Sequence, residues 1–179
     1  METPAKVTYA FIDSQNLNLG VKNDVYDKKG VKIYTGWKLD FKKFYIYLKT
    51  KYKVAKAIIF IGKLPGNEPL YNSLTSYGYE LEFKPTLNFI DADGNPQTKG
   101  NVDAELVLHT MIELNNFDQA IIVAGDGDYF CLIEYLEKAG KLLHVFIPNK
   151  HRYSKLLKPF LKYFVFITDL EAALKMIVP

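Results

Sequence analysis

Short apolar runs alternate with longer stretches of helical periodicity along most of this chain. Residues 7–12 form an unbroken run rich in β-formers that stops at Asp13, the pattern of a strand buried on both faces. Residues 55–61, 79–83, 120–124 and 142–147 predict four more strands. Between them, Asp40 is placed to N-cap a helix over residues 41–52, with Phe41, Phe44, Tyr45 and Leu48 at helical spacing. Asn67 precedes a short helix through Leu70 and Leu74 that closes near Gly78. Residues 101–115 predict a helix with the apolar stripe Ala104, Val107, Leu108 and Met111, and residues 128–139 a helix closed by Gly140. From Tyr153 onward the chain reads as a helix, a short aromatic strand (164–167) and a final helix.

Strands alternating with helices imply βαβ units, a mainly parallel sheet and helices on both of its faces. The expected organisation is a single domain over 1–179, with a core at about 5–150 and a C-terminal extension at about 151–179. Segment 18–40 breaks the alternation. It reads as a hairpin inserted after the first strand, its turn built around Gly30. A second hairpin turn is expected at residues 91–96.

With 179 residues, 49% hydrophobic, the chain can bury a core without a staple, and its single cysteine, Cys131, allows neither an intrachain disulfide nor a Cys-based zinc site. No apolar run approaches the roughly 18 residues of a membrane span, and the N-terminus lacks a signal-like stretch, so a soluble, cytoplasmic protein without membrane association is expected. The net charge of +3 conceals an uneven distribution: +7 over residues 1–60, −9 over 91–137 and +6 over 138–179. An acidic middle between basic ends suits a metal centre flanked by a polyanion-binding surface, although lysines that only solvate helix faces give the same pattern. Arg152 is the sole arginine, so nucleic-acid contact would rest on lysine as diffuse charge.

In open α/β sheets the site lies beyond the carboxyl ends of the strands, where strand order reverses. Asp13 stands at the end of the first strand, and Asp126 and Asp128 follow the fourth. A strand order of 3-2-1-4-5 would bring them together, and Asp103, in the first turn of its helix, could point into the same crevice. Lys99 and Asn16 are further polar groups within reach. Crowded carboxylates repel unless a cation joins them, and an all-oxygen set favours Mg²⁺ or Mn²⁺ over zinc. Such acids also cap helices, and Asp128 is placed to cap its own; spacing alone leaves both roles open.

These residues carry a resemblance. Asp13-Ser14-Gln15-Asn16-Leu17, Lys99-Gly100-Asn101-Val102-Asp103 and Ala124-Gly125-Asp126-Gly127-Asp128-Tyr129 look like the three signature stretches of the NYN domain, nearest to its LabA-like branch within the PIN-like nucleases. The likeness runs over about residues 5–150. It implies a PIN-like, three-layer α/β/α fold and a metal-dependent ribonuclease centre. Asp13, Asp103, Asp126 and Asp128 would be metal ligands or carboxylates ordering the attacking water, with Asn16 holding the first loop. The middle stretch has one extra residue before the aspartate, Ala124 replaces the usual Ser, and Tyr129 replaces Phe.

Other signals are weaker. The 91–102 stretch opens like a calcium loop but carries Pro96 and Val102 at the wrong positions. His109 shares an outer helix face with Glu105 and Glu113 and reads as solvated; His144 and His151 have no partner by spacing; Cys131 reads as a small buried hydrophobe. Tyr26, Tyr34 and Trp37, with Lys28, Lys29, Lys32 and Lys38, form either a stacking platform for single-stranded RNA or, the favoured reading, a hairpin packed on the core or on a second subunit of a homodimer. The leading expectation is an RNase acting on single-stranded RNA. An RNA-binding module without turnover is the alternative, and a phosphatase a weaker one.

Overall fold

The computed structural model describes the backbone of residues 5–85, 87–90, 96–99 and 102–177, and the side chains of residues 5–85 and 102–177. In chain order the elements are β1 (Thr8–Asp13), α1 (Ser14–Lys22), β2 (Val25–Tyr26), β3 (Lys32–Tyr34), α2 (Phe41–Tyr52), β4 (Val54–Lys63), α3 (Glu68–Tyr77), β5 (Glu80–Pro85), β6 (Leu87–Ile90), β7 (Pro96–Lys99), α4 (Asp103–Ile112), β8 (Gln119–Val123), α5 (Phe130–Lys138), β9 (Leu142–Ile147), β10 (Phe164–Phe166) and α6 (Glu171–Leu174). Short 3₁₀ segments cover Gly127–Tyr129, Lys155–Tyr163 and Ile167–Leu170.

Six strands pair in parallel in the order β10-β9-β8-β1-β4-β5. This is the expected 3-2-1-4-5 arrangement with the aromatic strand β10 added at one edge. Strand alternation divides the core into two layers. Ala10, Ile12, Ile59, Ile121, Val123 and Phe146 face one side with Leu17, Phe44 and Leu74 of the helices. Phe11, Ile58, Phe60, Ile122 and Val145 face the other with Leu106, Leu132 and Leu136. Successive strand residues point to opposite faces, and both faces are covered by helices, so the central strands β1 and β8 are almost wholly apolar, while the edge strand β5 carries Glu80, Glu82 and Lys84. The chain passes from β1 to β4 and β5 on one side, then returns to β8 on the other. That reversal sets the carboxyl ends of β1 and β8 side by side, with Ile12 in register with Val123.

The helix α1 was not anticipated in the sequence. Asp13 N-caps it, its side chain accepting the Asn16 N–H, and only Leu17 and Val21 are buried, two apolar positions one turn apart in a polar segment. The inserted hairpin is therefore just β2 and β3, docked on the end of this helix. The Tyr34 hydroxyl donates to the Val21 carbonyl at 2.7 Å, as does the Trp37 N–H at 3.1 Å. Gly36 passes so close to Lys22 that a Cβ there would overlap the Lys22 carbonyl. Trp37 is buried and Tyr34 half-buried, while Tyr26 is exposed, so the favoured packing of the aromatics on the core holds for the first two.

The apolar stripe expected on α4 is not its buried face. Val102, Leu106 and Thr110 are buried, whereas Ala104, Leu108 and Met111 are exposed. The helix has apolar residues on two sides, and periodicity alone did not distinguish them. Cys131 is exposed rather than buried. His109 is half-buried rather than solvated, its Nε2 3.5 Å from the Glu82 carboxylate and its ring edge-on to Phe60. Asn67 offers no side-chain cap to α3, and the expected 128–139 helix begins with a 3₁₀ turn before α5. The 91–96 turn lies outside the described residues, between the paired strands β6 and β7. No described helix is long and apolar enough to cross a membrane.

Candidate active site

Asp13 closes β1, and its carboxylate is buried. Its Oδ1 accepts the Asn16 N–H at 2.9 Å, and its Oδ2 lies 2.9 Å from the Tyr129 hydroxyl. That hydroxyl also sits 2.7 Å from Oδ1 of Asp103, the first residue of α4. A phenol has one proton to donate, so with both contacts made as hydrogen bonds, one carboxyl must carry a proton itself. Burial pushes the Asp13 carboxyl above its ordinary range, and the negative charge of Asp103 adds to this; the bonds from Asn16 and Tyr129 oppose it. Burial, followed by the charge of Asp13, raises the Tyr129 phenol far out of reach of ionisation.

Asp126 and Asp128 are exposed on the turn after β8. Asp126 Oδ1 accepts the Asp128 N–H at 3.2 Å, capping the 3₁₀ turn. Asp128 is raised above the usual carboxylate range, first by the charge of Asp126 and then by that of Asp103. Asp103, Asp126 and Asp128 each bring a carboxylate oxygen within 4.8 Å of the other two. Three mutually repelling carboxylates with an all-oxygen donor set fit a hard divalent cation. Asp13 stands outside this trio and reaches it through Tyr129.

Asn16 holds the two strand ends together. Its side-chain oxygen accepts the Gly125 N–H at 2.8 Å, while its own N–H goes to Asp13. Gly127 is needed where it is, because a Cβ there would lie 2.5 Å from Ser154 Oγ and 3.0 Å from Leu156 Cδ1. Beside the acids opens a cleft of about 650 Å³. Asp13, Asp103 and Asp126 line it, as do His151, Arg152 and Tyr153. Asn16 lines it too; the Lys99 side chain lies outside the described residues.

Of the four predicted acids, three come together directly and the fourth is joined by a residue that sequence reasoning passed over. Tyr129 was noted only as a departure from Phe, yet its hydroxyl is what links Asp13 to Asp103. A polar atom gained at an otherwise apolar motif position was the available signal. The other departure carries less weight, since Ala124 is fully buried in a core layer and does not line the cleft.

A doubly wound parallel sheet with clustered carboxylates at its switch point defines an α/β/α protein with a candidate cation site. The model of the NYN domain matches residues 8–168, and the chain belongs to that family, which is part of the PIN-like nuclease superfamily. PIN-like nucleases generally use divalent metal ions. The match is to the domain as a whole and does not distinguish its branches. Among solved structures, the chain is similar to a protein of unknown function, VPA0982, from Vibrio parahaemolyticus RIMD 2210633. The TM-score is 0.68 and the identity 22%, over 94% of this chain and 98% of that one. At that identity the likeness speaks for the fold alone. No curated protein matches the chain.

Proposed function

We propose that the protein is a metal-dependent ribonuclease that hydrolyses phosphodiester bonds of single-stranded RNA in the cytoplasm. The observation that carries this is the Asp103, Asp126 and Asp128 trio, open to solvent beside a cleft in an NYN domain. In this reading the trio holds Mg²⁺ or Mn²⁺, which supplies an activated water and stabilises charge on the phosphoryl oxygens. Asp126 stays oriented by its bond to the Asp128 N–H. The Tyr129 hydroxyl ties Asp103 back to Asp13, and Asn16 joins the β1 and β8 ends. Purified protein should cleave single-stranded RNA when Mn²⁺ is added and stop with EDTA. Asp126→Asn should abolish cleavage while leaving the fold intact; equal cleavage by that variant would reject the mechanism.

A second reading has one observation in its favour. Asp13 is engaged by both Asn16 and Tyr129, which leaves it poorly placed to serve as a fourth ligand. An RNA-binding module with little or no turnover follows from that. It would bind RNA in a salt-sensitive way that EDTA does not alter.

A further inference from the structure

The stretch 148–154 lines the same cleft as the acids, and it is built as a fixed feature rather than a loose loop. Asn149 at its start is fully buried; its side-chain nitrogen donates to the Gly20 carbonyl at 2.9 Å, and its side-chain oxygen accepts the His151 N–H at 2.9 Å. Pro148 packs so tightly on α1 that a Cβ at Gly20 would lie 2.6 Å from it. At the far end the Ser154 N–H donates to the Gly125 carbonyl at 2.8 Å, one residue before Asp126. The Arg152 N–H closes the turn onto the Asn149 carbonyl at 3.1 Å.

This frame presents two side chains, His151 and Arg152, both exposed and both lining the cleft. Among the described residues neither has an ion-pair partner, although the Asp103 and Asp126 carboxylates line the same cleft. Lys150 beside them is different, held by Asp169 at 2.5 Å. The His151 ring leans on Tyr34 of β3, 6.3 Å between centroids, so the hairpin that broke the βα alternation buttresses this stretch. An acid-lined cleft repels a phosphate chain except where a cation sits. A guanidinium in the same cleft offsets that repulsion and can take a phosphate through two N–H donors at once, so the sole arginine would add a directed contact to the diffuse lysine charge that the sequence suggests.

We propose that Arg152, with His151 beside it, binds a phosphate next to the scissile one and so holds an RNA strand across the cleft. This rests on the nuclease reading for its substrate. Arg152 is then a positioning residue: it sets the affinity for the RNA chain and leaves the hydrolytic step to the acids.

The test uses the full-length chain, a labelled single-stranded oligoribonucleotide and two readouts: cleavage kinetics in Mn²⁺, and binding in EDTA across a range of salt concentrations. Arg152→Ala should raise KM about tenfold, the loss of one charge-assisted contact, with kcat within about twofold. Its binding should lose about 0.7 from the salt slope, the share of one phosphate on a single strand. Arg152→Lys should recover the slope and part of the KM, since it restores charge without the two-pronged geometry. Unchanged KM and slope in Arg152→Ala overturn the proposal. Arg152-dependent binding by a wild-type chain that does not cleave supports it while removing the nuclease reading, and no RNA binding at low salt overturns both.

Discussion

Asp13 and Asp103 are joined through a single hydroxyl, with Tyr129 Oη 2.9 Å from one carboxylate and 2.7 Å from the other. Three oxygens in a row with one phenolic proton are a mismatch unless a carboxyl is protonated. An asparagine at position 13 would resolve it. Its oxygen would keep the Asn16 N–H, and its amide would donate to Tyr129, freeing the phenol proton for Asp103. Asp13→Asn should therefore unfold at a higher temperature in EDTA at pH 7. A rise of about 2–4 °C is expected, what about 1 kcal/mol amounts to in a chain of this size. An equal or lower melting temperature would show that Asp13 is not under strain.

The same carboxyl gives stability a pH dependence of definite sign. Its folded pKa lies above the ordinary aspartate value, mainly through burial. Its contribution is then fully present below that value and fades as pH rises through the folded pKa. Urea unfolding in EDTA should show wild type losing stability relative to Asp13→Asn across that interval. Parallel curves for the two proteins would contradict this.

Tyr129→Phe removes the shared hydroxyl and leaves the ring packed. Asp103 then loses a hydrogen bond that competes with a cation for its Oδ1. Isothermal titration should show tighter Mn²⁺ binding by several-fold, while unfolding registers a loss of about 1 kcal/mol for the missing hydrogen bond. Weaker Mn²⁺ binding would mean that the hydroxyl orients Asp103 for the cation instead of competing with it.

Cation affinity should fall on acidification sooner than ordinary carboxylates require, because Asp128 is raised by its acidic neighbours. Protons and cation compete for the same oxygens. Thermal shifts with added Mn²⁺, measured from pH 7 downward, should begin to shrink before the pH reaches the ordinary aspartate range.

The two faces of α4 make separable predictions. Leu106→Ala opens space in a packed layer and should cost about 2–5 kcal/mol. Leu108→Ser, on the exposed side, should stay within about 0.5 kcal/mol. Chemical denaturation of both variants would reverse this order if the stripe visible in the sequence were the buried one.

That stripe marks where the sequence stopped being legible. The five predicted strands and the α2 helix with its Asp40 cap follow from β-rich runs and capping residues, which are local signals, while the order of the sheet rested on the fold class that the strand–helix alternation implies. The α4 face, the exposed Cys131 and the partner of His109 depend on what lies across from each side chain, and no local pattern carries that. α1 was missed because two buried residues in nine leave too faint a period. At the site, the acids were visible as strand-end residues, but the standing of Asp13 behind the trio depended on Tyr129, a contact across most of the chain.

The bond from Asn16 to Gly125 spans 109 positions of the polypeptide. A chain still emerging from the ribosome therefore holds the Asn16 end of the cleft before Gly125 and the 148–154 stretch have been made. The pocket takes its shape only once the residues through Ser154 have joined those near the start.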